Sequence, residues 1–175
     1  MEKWQKKFSE IVFSKYRREI ERRDFVLPNG KVSDFYVLKS ASPVCVLALT
    51  PENDVILARQ FRVGPEELLM ELPGGAIDEN EKPEDAIRRE LLEETGYSGD
   101  IKLVTRCLDS GYSTMDRYCF VATNCQKVSQ PKPDENEFIE TLVMPLSDFR
   151  DLLRTGRLTD VAVAYLGLDY LGLLK

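Results

Sequence analysis

Between Gly75 and Tyr97 the chain crowds acidic side chains into one short stretch, and this limits what it can fold into. Glu90, Glu93 and Glu94 lie three and four residues apart, so a helix carries all three in overlapping directions, where like charges repel. The punctuation of such a helix is present. Pro83 suits its first turn, Glu84 and Asp85 complement its positive end, and Gly96 stands where a left-handed cap stops it. Ala86, Ile87 and Leu91 form the stripe it buries. A charge-rich helix is commonly no more than a solvated face, but carboxylates this close favour a cation among them. Hard divalent ions take oxygen ligands and bridge carboxylates to phosphates, which gives the cluster a chemical reason.

Composition narrows the chemistry further. With 175 residues, 43% of them hydrophobic, the chain can build one compact domain with a core and a small appendage. The net charge of −6 argues against nucleic acid or an anionic membrane surface as a partner. Histidine is absent, so carboxylates must do any proton work. Cys45, Cys107, Cys119 and Cys125 have no metal-finger or CxxC spacing and read as reduced core residues. The charged start, Met1 to Lys7, lacks the apolar stretch of a secretory signal, and no apolar run is long enough for a bilayer; a cytoplasmic location is the expectation.

Along the chain, Arg23–Val26 and Asp34–Leu38 flank Leu27-Pro28-Asn29-Gly30, a strong hairpin signal. Val44–Leu49 and Val55–Phe61 read as strands of a central sheet; the first is apolar on both faces, so helices should cover the sheet on both sides. Ile101–Leu108, Tyr118–Thr123 and Phe138–Met144 read as further strands, and Gln126–Asn136, with Pro131 and Pro133, as a mobile loop. Ser147 can cap a short helix ending near Gly156, and Asp160 opens a buried helix reaching Leu174. The predicted division is a β-hairpin extension over residues 1–40 and a main domain over 41–175.

The full spacing around the acidic helix carries more than the helix alone. Gly75, five residues, Glu81, seven residues, then Arg89-Glu90-Leu91, Glu93-Glu94 and Gly96-Tyr97 give seven fixed identities and two apolar positions. Here the chain resembles the Nudix hydrolases, whose signature GX5EX7REUXEEXGU is met at every fixed position. Gln60-Phe61-Arg62, Glu71-Leu72-Pro73-Gly74-Gly75, the Leu27–Gly30 hairpin and Asp134–Glu140 resemble the ADP-ribose and nucleoside diphosphate sugar branch of that family.

The resemblance implies an α+β fold: an α/β/α sandwich with a mixed central sheet and a small N-terminal antiparallel extension. It also implies Mg2+ or Mn2+ held by Glu90, Glu93, Glu94 and the backbone carbonyl of Gly74, with Glu81 and Arg89 supporting that shell. Arg62 and Glu71 are implied on the substrate side, Arg62 at the diphosphate. In that branch the N-terminal strands exchange between two subunits of a homodimer and help bind the base, which makes Phe35 and Tyr36 candidates for stacking. The same two aromatics could equally serve hairpin packing.

The implied reaction is attack of water on one phosphorus of a nucleoside diphosphate sugar, such as ADP-ribose or GDP-mannose, releasing a nucleoside monophosphate and a sugar phosphate. Glu93 belongs to the catalytic helix; Glu137, Glu140 and, behind them, Glu135 are candidates for the base. Strand alternation predicts Glu140 on the face of Phe138 and Leu142, where an unpartnered carboxylate is costly. Ser110 or Tyr112 could touch substrate. The Asp109–Ser113 loop lacks a proline common in ADP-ribose pyrophosphatases, which favours broader sugar use. Alternatives are a Nudix hydrolase of nucleoside triphosphates, dinucleoside polyphosphates or coenzyme A, and a non-catalytic nucleotide-sugar sensor.

Overall fold

A computed structural model describes residues 1–16 and 18–175. The chain separates into two compact units, residues 1–42 with 108–116, and residues 43–107 with 117–175. The segment Leu108–Asp116 thus joins the first unit, although nothing in its local sequence sets it apart.

The first unit is built on a three-stranded antiparallel sheet in the order β1 (Gln5–Lys15), β2 (Arg18–Val26), β3 (Val32–Lys39). The predicted hairpin is β2–β3, and its turn closes as expected: the Leu27 N–H donates to the Lys31 carbonyl, and Gly30 takes φ +80°, which a side chain would resist. β1 is a strand that sequence reading did not assign. Phe8, Ile11, Val12 and Phe13 point to both faces among lysines and a glutamate, so no period-2 signal survives. All eleven of its residues are exposed.

The second unit shows why a doubly apolar strand needs two layers. Its mixed sheet runs β10 (Glu140–Met144), β5 (Val55–Arg62), β4 (Val44–Leu49), β9 (Asp116–Lys127), β8 (Tyr97–Leu108); β6 (Glu67–Glu71) pairs with β5, and β7 (Gly74–Gly75) with β4. β4 lies antiparallel to β5 and parallel to β9. Along β4, Val44, Val46 and Ala48 pack with Ala86, Ile87 and Leu91 of helix α1 (Pro83–Thr95). The alternate residues Cys45, Leu47 and Leu49 pack with Phe149 and Leu153 of α2 (Leu146–Arg154) and Val163, Ala164 and Leu168 of α3 (Val161–Tyr170). Six consecutive buried residues therefore serve two cores, the Val and Leu side chains among them each adding about 1.5–3 kcal/mol of burial.

Helix α1 is punctuated as predicted, with Pro83 in its first turn and Gly96 at φ +76°. Several other boundaries differ. Phe138 and Ile139 precede β10 instead of joining it. α2 starts at Leu146 after Pro145, and the Ser147 hydroxyl donates to Asp148 rather than capping the helix. α3 ends at Tyr170, not Leu174, because Gly172 turns the chain at φ +70° and the Leu173 N–H returns to the Leu168 carbonyl. The loop after β9 is tied down: Val128 and Ser129 N–H groups donate to the Gly96 carbonyl and Lys132 N–H to that of Glu93. No disulfide forms, and Cys45, Cys119 and Cys125 are buried as expected; Cys107 is half-buried with its sulfur 3.3 Å from that of Cys119. Among the described residues no helix is long and apolar enough to cross a membrane.

Candidate active site

The acidic face of α1 is organised by one arginine. Arg89 donates Nε and Nη2 to the two oxygens of Glu81 at 3.0 and 2.9 Å, and Nη1 to Glu90 at 2.9 Å and Glu93 at 3.1 Å. Its Nη2 also reaches the Ala76 carbonyl at 3.1 Å, tying the loop before the helix to the helix itself. The Glu81 contact, ahead of those to Glu90 and Glu93, raises the pKa of Arg89 still further above its ordinary range. Glu81 in turn is held below the usual carboxylate range, first by Arg89 and then by the Asp78 N–H at 3.0 Å. One cation thus hydrogen-bonds three carboxylates and stands 3.8 Å from a fourth, that of Asp78.

Glu94 lies deeper, 5% exposed, with an oxygen accepting the Gly74 N–H at 3.0 Å. Burial is the main cause that pushes its carboxyl up to about 8; the Gly74 bond opposes this, while the charges of Glu90 and Glu137 add to it. Burial likewise raises Glu90 against the pull of Arg89. The strand opposite is glycine for want of space: a Cβ on Gly74 would fall 2.3 Å from the Val44 carbonyl oxygen, and one on Gly75 about 2.5 Å from the Glu90 carboxylate.

These features test whether a divalent ion suits the site. The donors are all oxygen, the groove between Gly75 and Glu90 admits no side chain, and Glu94 is buried beside Glu90 with too few cations nearby. Glu90, Glu93, Glu94 and the Gly74 carbonyl fit a hard ion of the Mg2+ or Mn2+ type. Among the described residues no three acidic groups close on one point, since Arg89 draws Glu81, Glu90 and Glu93 to itself.

Beside Gly74 and Gly75 opens a cavity of about 250 Å3 that Arg62, Glu71, Arg117 and Asp160 also line. Glu71 is 2% exposed and accepts from Arg62 through both oxygens, Nε to Oε1 at 2.7 Å and Nη2 to Oε2, and from Gln60 at 3.2 Å. Its carboxylate is committed to these bonds and holds the Arg62 fork in place. Arg117 and Asp160 were not selected from sequence. Asp160 opens α3 as expected, at the N-cap position, but it makes no side-chain cap bond, and its carboxylate turns to Arg117.

The candidate bases are separated by the structure. The charge of Glu137 acts on both Glu90 and Glu94. Glu140 is a correction to the burial argument: its side chain is 60% exposed and pairs with Arg59 at 3.3 Å, because β10 is the edge strand beside β5. Glu135 is exposed. In the first unit, Phe35 forms an aromatic cluster with Trp4 and Phe25, ring centroids 5.8 and 5.9 Å away, lining a pocket of about 330 Å3 with Tyr112 and Ser113. Tyr36 is on the opposite strand face and 55% exposed, so the two cannot stack on one base from the same side. Ser110 is exposed and accepts the Tyr112 N–H at 3.3 Å, which is turn chemistry.

Comparison with known proteins agrees with this geometry. The NUDIX domain pattern matches residues 39–162. An ADP-ribose pyrophosphatase of Bacillus subtilis (strain 168) is 32% identical over 94% of this chain and 90% of its own length. A methanol dehydrogenase activator of Bacillus methanolicus is 29% identical over 92% and 91%. A GDP-mannose pyrophosphatase of Escherichia coli O9:H4 (strain HS) is 36% identical over 70% and 68%. A solved ADP compounds hydrolase has the same fold, with a TM-score of 0.79, 21% identity, and 99% of this chain and 98% of that one covered. With the box residues of α1 gathered against a glycine strand and the pattern spanning most of its length, the chain belongs to the Nudix family.

Proposed function

We propose that this protein hydrolyses the diphosphate of nucleoside diphosphate sugars, ADP-ribose and GDP-mannose among them, to a nucleoside monophosphate and a sugar phosphate. The observation that carries the reading is the excess of carboxylate at the glycine strand β7, where Glu94 is buried beside Glu90 and three acids share the hydrogen bonds of Arg89. The names of the B. subtilis and E. coli relatives support this substrate class.

A divalent ion, Mg2+ or Mn2+, when held by Glu90, Glu93, Glu94 and the Gly74 carbonyl, supplies positive charge that acidifies water and offsets charge on the diphosphate. Arg62, oriented by Glu71, donates to diphosphate oxygens through its free fork edge. Arg89 holds Glu90 and Glu93 beside the site until the ion competes for them. As water adds to one phosphorus and the bridging P–O bond breaks, the proton of the water passes to a carboxylate. Glu137 is the proposed acceptor, with Glu93 assisting on the helix and Glu140 ranked behind them.

The first unit completes the reading. Phe35, within its aromatic pocket, is proposed to meet the base, with Tyr36 on the other face. The exposed apolar residues of β1 support a homodimer formed through the N-terminal strands; its proposed location is the cytoplasm. Residues 1–40 would then be a dimerisation and base-binding extension of the hydrolase domain at 41–175.

Turnover of ADP-ribose, GDP-mannose, nucleoside triphosphates and coenzyme A with Mg2+ tests the proposal. Monophosphate release from the two sugars should lead. A triphosphate preference would overturn the substrate class. Tight ADP-ribose binding without any product would overturn catalysis itself, and would shift weight to the kind of role that the name of the B. methanolicus relative describes.

A further inference from the structure

The cavity beside the glycine strand holds a second arginine that the reading above does not use. Arg117, at the start of β9, donates Nη1 to Asp160 Oδ1, and the other oxygen of Asp160 accepts the Thr159 hydroxyl at 2.8 Å. Arg117 and Cys119 share a strand face, the one directed at α3, while Cys119 lies beside Cys45 of β4 in the sheet. Both Cys45 and Arg117 line the cavity. Arg62 enters the same space from β5, and two further lining residues, Gly74 and Gly75, border the carboxylates of α1: the Gly74 N–H donates to Glu94, and Gly75 lies against Glu90.

Four properties of the cavity define its occupant. Guanidinium groups only donate hydrogen bonds, so a ligand between two of them must present acceptors. Each arginine is matched by its own carboxylate, Glu71 and Asp160, which fixes the direction of the fork without adding net positive charge. Such a wall selects by geometry more than by bulk attraction. At about 250 Å3 the cavity is smaller than the roughly 300–1,000 Å3 of sites that take a whole ligand, so it admits one end of a larger molecule. Among the described residues its lining carries no aromatic ring, which disfavours a nucleobase and suits an oxygen-rich group.

We propose that Arg117 is a specificity-determining residue that grips the sugar-phosphate end of the substrate, with Asp160 as the positioning residue that aims it. This rests on the nucleoside diphosphate sugar reading and adds to it which end of the molecule enters the cavity. Arg62 addresses the diphosphate, and Arg117 the group beyond it.

The test separates the subsite from the reaction. Calorimetric binding of ribose 5-phosphate and of AMP is measured with Mg2+ for the unmodified protein, for Arg117→Lys, and for the double variant Arg117→Met with Asp160→Asn. Lysine keeps a cation opposite the largely buried Asp160, and the double variant removes both charges together, so one variant covers a folding failure of the other. Ribose 5-phosphate affinity should fall about tenfold or more in each folded variant, the cost of a lost charge-assisted bond, with AMP affinity within about twofold of its starting value. In parallel, KM should rise for ADP-ribose but not for the methyl ester of ADP, which lacks the sugar. Unchanged ribose 5-phosphate binding, or equal weakening of AMP, overturns the assignment. If the unmodified protein hydrolyses no nucleotide sugar yet loses ribose 5-phosphate selectively on substitution, the subsite stands and the reaction assigned above falls.

Discussion

Two sets of carboxylates in the second unit meet the same electrostatic problem in opposite ways. On the cavity wall each acid has its own arginine, Glu71 with Arg62 and Asp160 with Arg117. Around α1, Glu81, Glu90 and Glu93 divide one arginine, and Glu94 rests on a backbone N–H. The balanced set needs nothing from outside and can act as architecture. The unbalanced set is stable only as far as protons or an added cation relieve it, which is the ground for proposing the chemistry there.

The sharpest way to break this comparison is Glu94→Gln. Removing a ligand should lower kcat with Mg2+ on the order of a thousandfold while the circular dichroism spectrum stays native. A loss under tenfold would place the ion elsewhere. Glu137 adds its charge to the unbalanced set, and Glu137→Gln should lower kcat about a hundredfold, as expected for a lost proton acceptor, with KM little changed. On the balanced side, Glu71→Gln should cost about 2 kcal/mol in a denaturant titration, since Arg62 loses its charge-assisted partner.

A pH series sharpens the contrast. The folded Glu94 carboxyl, raised to about 8 from 4.5, keeps a proton that the unfolded chain releases. Between those pH values the folded state binds more protons, so with EDTA present stability should fall as pH rises, by on the order of 1 kcal/mol per pH unit, and level off above about 8. Glu94→Gln should flatten that slope. A slope unaffected by the substitution would assign it to another group. The smallest effect is expected at Glu140, an exposed one-to-one pair with Arg59: Glu140→Gln should shift stability by less than about 0.5 kcal/mol.

What could be foreseen from sequence follows the range of the interaction. The α1 site was legible because its groups lie within twenty-odd residues and a helix fixes their relative positions, down to Pro83 and Gly96. The two-sided burial of β4 was legible as an unbroken apolar run. Arg117 and Asp160 are 43 residues apart, and no local pattern links them until β9 and α3 are brought together. Glu140 misled because alternation gives a strand two faces without saying which strand is the edge. Glu71 sits in a recognisable string with Pro73 and Gly74, yet its complete burial depends on β5 and β6 pairing around it. β1 left no period because both of its faces carry apolar and charged residues.

The bond from Lys132 N–H to the Glu93 carbonyl, 2.7 Å long, has a kinetic meaning for the loop beyond it. Glu137 stands five residues downstream of a point fastened to α1, so its tether spans at most about 17 Å when fully stretched. A group on so short a leash meets the helix at millimolar effective concentration, whatever the side chains between. Splicing glycines between Lys132 and Glu137 would dilute it only gradually, since β10 still holds the chain from Glu140 onward, three residues beyond.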